Sequence, residues 1–154
     1  MDDPKFKSEI GNPIIAKCNE ALGRIRSGIQ LLADDEIAFD AFCFMNRAMI
    51  LQRNIMNFSK KHGSDIECSF TDFVDPRNPA NNFGWRPFQI AFILMNLEAI
   101  VDPEHKDREV VDLLYFPTGG GKTEAYLGLM AFVIANRRPV SYTHLRAHET
   151  SAHL

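Results

Sequence analysis

Four stretches of the chain carry a helical pattern, and one short stretch carries the pattern of a strand. Asn12 followed by Pro13 fits an N-cap and a first helical position. Cys18, Leu22, Ile25, Ile29 and Leu32 then recur at steps of four and three, one apolar stripe on an amphipathic helix. Lys17, Glu20, Arg24 and Arg26 lie largely off it, and Gly23 and Gly28 should each weaken that helix by roughly 1 kcal/mol relative to alanine. Asp34 or Asp35 can cap a second helix with two adjacent stripes. One is Ile37, Ala41, Phe44, Ala48, Leu51 and Ile55; the other is Ala38, Phe42, Met45 and Met49. A helix apolar on so much of its circumference is expected to lie among others. Lys60, Lys61, His62 and Gly63 fit its C-terminal end. Asn46, Arg47 and Gln52 read as satisfied structural contacts, with a partner-facing surface as the alternative.

The period breaks from Ser64 to Gly84, where Asp75-Pro76, Asn78-Pro79 and Asn81-Asn82 are turn chemistry. Pro87 then opens a helix that runs to Ile100 or Val101 and stops at Asp102-Pro103. Glu104 to Arg108 is a charged loop, and Val110 to Phe116 (VVDLLYF) is an apolar run suited to a buried parallel strand. A glycine loop follows, then a mostly apolar helix from Glu124 to Asn136. Residues 1–63 thus read as a helical leader, 64–84 as a linker and 85–138 as the N-terminal piece of a second domain.

Residues 139–154 fit neither period. Val140 to Thr150 (VSYTHLRAHET) matches the in-frame translation of a transposase sequencing adapter, and Pro139 and His153-Leu154 fit its flanking constant bases. The native sequence is therefore expected to stop near Arg138, inside a truncated reading frame, and the tail is set aside from fold reasoning. The spacing of His144 and His148 is discounted as a metal pair on the same ground.

Composition narrows the class further. The 154 residues are 45% hydrophobic and 24% charged, ordinary globular values that exclude a disordered or low-complexity chain. A net charge of -3 provides no global basic field, so any nucleic-acid contact must be local. Cys18, Cys43 and Cys68 are far apart and lack metal-ligand spacing, which fits reduced thiols and a cytoplasmic protein. The polar start shows no signal peptide, and no apolar run approaches the roughly 20 residues of a membrane span.

The chemistry lies in Phe116 to Thr123, FPTGGGKT. Strand, glycine loop and helix come in the order a phosphate-binding P-loop requires. Thr118 belongs to this loop. Backbone N–H groups of Gly119, Gly120, Gly121 and Lys122 can converge on phosphate oxygens, and glycine permits the close approach. Lys122 would place its charge on the β- and γ-phosphates, and the Thr123 hydroxyl would ligate Mg²⁺. The strict Walker A pattern is not met, because Phe116 stands where it has its first glycine.

Upstream, Trp85 to Gln89 reads WRPFQ, with Gln89 27 residues before Phe116. With the loop, this resembles the superfamily 2 helicases and translocases, where such a glutamine reads the adenine edge; Gln89 matches that position. The runs WRPFQIAFILMNLEAIVDP and DLLYFPTGGGKTEAYLGLMAF, with ALGRIRSGIQLL and AFDAFCFMNRAMILQ before them, are similar to the helicase-like subunit of the DISARM anti-phage defence system. The resemblance implies a parent of α/β class with a P-loop, RecA-like core, of which this fragment is mostly α-helical with one or two short strands. It implies an ATP-dependent DNA helicase or translocase using ATP and Mg²⁺, acting on DNA and in contact with other defence-system subunits, with no membrane role. Its cofactor-binding residues would be Gln89, Thr118, Gly119, Gly120, Gly121, Lys122 and Thr123, with Thr123 also the metal residue. The alternatives are another P-loop NTPase, such as a restriction translocase or an AAA-type motor, and a helical interaction module with a degenerate loop. No catalytic residue falls within the fragment, because the acidic motif and arginine fingers that phosphoryl transfer requires are absent from these residues. The fragment alone is therefore expected to be inactive.

Overall fold

The structure is a computed structural model that describes residues 7–62, 84–113, 115 and 119–138. A π-helical turn, Lys7–Gly11, runs into helix α1, Asn12–Asp34. Helix α2 spans Glu36–His62, α3 Pro87–Val101 and α4 Lys122–Asn136. A short 3-10 turn, Lys106–Glu109, lies between α3 and α4. Most of the expected linker, the tail after Arg138, Leu114 and Phe116 to Thr118 lie outside the described residues.

Local chemistry accounts for the helix ends. Asp35 Oδ1 accepts from the backbone N–H of Ile37 at 2.8 Å and of Ala38 at 3.0 Å, satisfying two otherwise orphaned donors at the start of α2. Pro87 occupies the first turn of α3, where its missing N–H costs nothing, and Asp102 ends that helix in an extended conformation. At α1 the expected cap shifts by one residue. Gly11, itself helical, is the N-cap, and no side chain caps this end, because the π-helical turn already leads the backbone into α1.

The helices pair across the sequence. Helix α1 packs chiefly on α3, and α2 on α4, so both leader helices lie against the second segment. The core is Ala38, Ala41 and Met45 of α2, Ile93 and Leu97 of α3, and Phe132 and Ala135 of α4. Phe132 is fully buried at 0% exposure. On α2 the Ala38–Met45–Met49 stripe is the buried one, together with Ala41, while Ile37, Leu51 and Ile55 stay exposed. The expectation of a helix buried on most sides is therefore corrected: one face of α2 is covered.

Helix α1 departs further from its pattern. Cys18, Leu22 and Ile29 of the expected stripe face outward. The face against α3 is centred on Gly28, with Leu31 and Leu32 beside it. A Cβ built on Gly28 would stand 2.1 Å from the backbone oxygen of Leu94. Gly28 thus lets two backbones touch, and is not the simple weak point expected. Gly23, with nothing within 4 Å, does fit that expectation.

The one or two short strands expected are not formed among the described residues. Val110 is extended, but a strand exists by pairing, and the described residues of the segment stand in no ladder. Val111, Leu113 and Tyr115 point out, Leu113 at 88% exposure, while Asp112 turns back to Arg24 of α1.

That contact is a fork. Arg24 Nη1 and Nη2 each donate to a carboxylate oxygen of Asp112 at 2.7 Å. Arg24 Nε lies 3.1 Å from Asp107 Oδ2, an ion-pair contact without hydrogen-bond alignment. The Asp112 hydrogen bonds hold the guanidinium above its ordinary range, partly opposed by burial. Bidentate pairing of this kind fixes direction as well as distance. Asp112→Ala is expected to lower stability by about 1–2 kcal/mol, because the guanidinium loses its bidentate partner and keeps only Asp107. Arg24→Ala should cost at least as much, since it leaves both Asp107 and Asp112 without their cation, and the double variant should fall short of the sum of the two. Urea unfolding of all three variants checks this; strict additivity would refute the coupling.

Candidate functional site

The glycine loop meets the start of α4 in left-handed geometry. Gly119 has φ 79° and Gly121 φ 93°, and Gly121 is the N-cap of α4. Among the described residues no non-glycine residue has positive φ. The loop therefore needs glycine at these two positions for conformational reasons.

Helix α3 holds the loop from one side. Gln89 is buried at 5% exposure. Its Nε2 donates to the Gly121 carbonyl at 2.7 Å, and its Oε1 accepts from the Arg86 backbone N–H at 2.8 Å. The second bond is half of a capping box at the start of α3. One amide thus caps one helix and ties down the entry to another. Arg86 Nη1 donates to the Gly120 carbonyl at 2.7 Å. Arg86 had no separate role in the sequence reading, where it served only as part of the WRPFQ run.

Trp85 adds a third tie. Its indole Nε1 donates to Asn46 Oδ1 of α2 at 2.7 Å, and Asn46 Nδ2 donates to the Phe42 carbonyl. Asn46 is therefore a structural contact, as expected. The Trp85 ring lies over Gly128 of α4, where an added Cβ would stand 2.7 Å from Cη2. Nearby, Phe92 and Tyr126 meet edge to face with centroids 5.5 Å apart.

Together these contacts shape an open cleft of about 270 Å³. It is lined by Gly119 and Gly121 of the loop, Gly84, Arg86 and Gln89 from the start of α3, Glu124 of α4, and Arg53 of α2. Lys122 and Thr123 begin α4 beside it, Thr123 exposed. Gln89, Gly119, Gly120, Gly121, Lys122 and Thr123 are thus neighbours at one helix start, and Thr118 lies outside the described residues. Arg53 and Glu124 were missed by sequence reasoning. Glu124 follows the motif directly, and Arg53 carries no local signal at all.

Among the described residues no group of three or more His, Cys, Asp or Glu is placed to hold a metal. None of the described helices is long and apolar enough to cross a membrane.

Fold and site define a helical unit closed on a glycine-loop helix N-terminus. A curated protein gives the narrower likeness: the DISARM protein DrmA of Bacillus paralicheniformis is 47% identical over 138 residues, 88% of this chain. The chain is thus similar to a DISARM protein, and it spans 12% of that relative's length. No known family profile matches the chain. No solved structure matches it either.

Proposed function

We propose that this chain is the nucleotide-binding piece of an ATP-dependent DNA helicase or translocase belonging to a phage-defence system. The observation that carries the reading is the glycine loop, with left-handed Gly119 and Gly121 at the N-terminus of α4 and Gln89 hydrogen-bonded to it. Left-handed glycines before a helix start suit backbone N–H groups to an anion, and the helix dipole favours negative charge there. The relation to a DISARM protein supports the defence setting and contact with other subunits of such a system.

ATP with Mg²⁺ fits these residues. The cleft is open, the loop presents no Cβ at Gly119, Gly120 or Gly121, and Lys122 and Thr123 stand at the helix start. In this reading Lys122 holds the phosphates electrostatically and Thr123 offers its hydroxyl to the metal. The rest of a RecA-like domain, the acidic motif, the DNA contacts and the cytoplasmic setting belong to the full-length protein.

Lys122→Ala in the full-length protein is expected to weaken ATP binding by about tenfold or more, the loss of a charge-assisted contact. Titration with a fluorescent ATP analogue measures it, and an unchanged affinity would remove the reading. A second reading of Gln89 is favoured by its geometry: both ends of its amide are engaged within the chain, which fits a purely structural role. Affinity alone does not separate the two roles, since Gln89→Ala also releases Gly121. The ratio of ATP to GTP affinity does. It falls toward one if Gln89 reads adenine and is unchanged if the residue only holds the loop.

A further inference from the structure

Trp85 and Arg86 are adjacent in the chain, yet they face different parts of the molecule. Trp85 Nε1 donates to Asn46 Oδ1 of α2, in the leader, while Arg86 Nη1 donates to the Gly120 carbonyl. The Arg86 backbone N–H donates to Gln89 Oε1, and Gln89 Nε2 donates to the Gly121 carbonyl. Asn46 is thus joined to two carbonyls of the glycine loop by hydrogen bonds of 2.7–2.8 Å and by covalent bonds alone.

The neighbours of Asn46 fix which way its amide points. An indole N–H only donates, so Asn46 must offer Trp85 its oxygen. Its Nδ2 is then left for the Phe42 carbonyl, to which it donates at 2.8 Å. The Trp85 ring is held from the other side, because a Cβ on Gly128 of α4 would lie 2.7 Å from Cη2. Trp85 is therefore clamped between α2 and α4, immediately before the N-cap of α3. A residue fixed on two sides sets where the next one begins, and a site is only as well placed as the groups that support it.

We infer that Asn46 is a positioning residue for the nucleotide site. Through Trp85 it sets the start of α3, and with it the placement of Arg86 and Gln89 on the glycine-loop carbonyls. The inference rests on the nucleotide-binding reading above. It makes the leader a part of the protein that controls how tightly that site binds, without touching the nucleotide.

The test uses the full-length protein as wild type, Asn46→Leu, Asn46→Asp, Trp85→Phe and Lys122→Ala. Each is titrated with the fluorescent ATP analogue well below its own melting temperature, so that unfolding does not enter. Asn46→Leu removes the acceptor, and Trp85→Phe removes the donor but keeps an aromatic ring. Each of these two is expected to weaken binding by about threefold to tenfold, the worth of one hydrogen bond. Asn46→Asp keeps an acceptor for Trp85 but turns an oxygen toward the Phe42 carbonyl, which has no proton to give. It should melt below wild type and still bind within about twofold of it, since the Trp85 bond survives. A merely structural Asn46 would leave affinity unmoved in all three variants. If Asn46→Leu and Trp85→Phe bind as wild type while Lys122→Ala loses affinity, the inference is overturned and the nucleotide reading stands. If Asn46→Asp loses as much affinity as Asn46→Leu, the Trp85 bond does not place the loop and the inference is likewise overturned. Should Asn46→Leu not fold, Trp85→Phe decides by the same criterion. If Lys122→Ala binds like wild type, or wild type binds no analogue, the nucleotide reading itself fails and the inference falls with it.

Discussion

Gly28→Ala is expected to destabilise the chain by about 3 kcal/mol, lowering the melting temperature by about 6–12 °C. The new methyl group would stand 2.1 Å from the Leu94 carbonyl oxygen, and that oxygen is backbone, not a side chain that can swing away. Helices α1 and α3 must then separate along the contact that joins them. Their separation also pulls on Arg24, which α1 carries one turn earlier and which grips Asp112 before the glycine loop. Gly23→Ala is the control. It adds the same methyl group to the same helix where nothing lies within 4 Å, and it should stabilise by roughly 1 kcal/mol through helix propensity. Opposite signs from two chemically identical changes five residues apart would separate packing from propensity. If the two substitutions behave alike, the close approach of α1 to α3 is wrong.

The second large effect is expected at the loop. Gly121→Ala meets two obstacles. Its φ of 93° is a region that L-residues seldom occupy, and its Cβ would lie 2.6 Å from Gln89 Nε2 and 3.3 Å from Glu124 Oε2. Gln89 has little room to retreat, because it is buried and both its amide ends are hydrogen-bonded. Strain of about 1–3 kcal/mol, together with the loss of the Gln89 bond, should weaken ATP binding in the full-length protein by at least about thirtyfold. Gly119→Ala offers a graded comparison. It is also left-handed but has nothing within 4 Å, so it should suffer from backbone strain alone and lose less. Titration of both variants with the fluorescent ATP analogue checks the order; equal losses would mean that the Gln89 contact contributes nothing to loop shape.

Much of the second segment could be read directly from the chain. The bounds of α3 follow from Pro87 and from Asp102-Pro103, and α4 starts at the lysine of the motif. The cap at Asp35 was legible because it acts within three residues of itself. The face of α1 was not, and the reason is physical. A hydrophobic stripe marks where side chains could be buried, whereas α1 meets α3 through a residue with no side chain, so Gly28 is silent in any hydrophobic pattern. Arg24 misled in the opposite direction. It reads as a solvent-facing cation until Asp112, 88 residues away, is seen to neutralise it. The site shows the same division. The GGGKT core announces itself, but the engagement of Gln89 with the Gly121 carbonyl and the place of Arg53 in the cleft depend on how separate helices are set side by side.

The pairing of α1 with α3 and α2 with α4 also bears on how the chain leaves the ribosome. Ala38 and Met45 on α2 are covered by Phe132 and Ala135 of α4, which are made long after them. At a synthesis rate of roughly 5–20 residues per second, the wait between Met45 and Phe132 is on the order of 4–17 s. Throughout that interval the leader helices have no α4 to cover their apolar face. Docking of the glycine-loop helix is thus the late step that closes the nascent leader, and a ribosome stalled before α4 would display an uncovered Ala–Met stripe to chaperones and proteases.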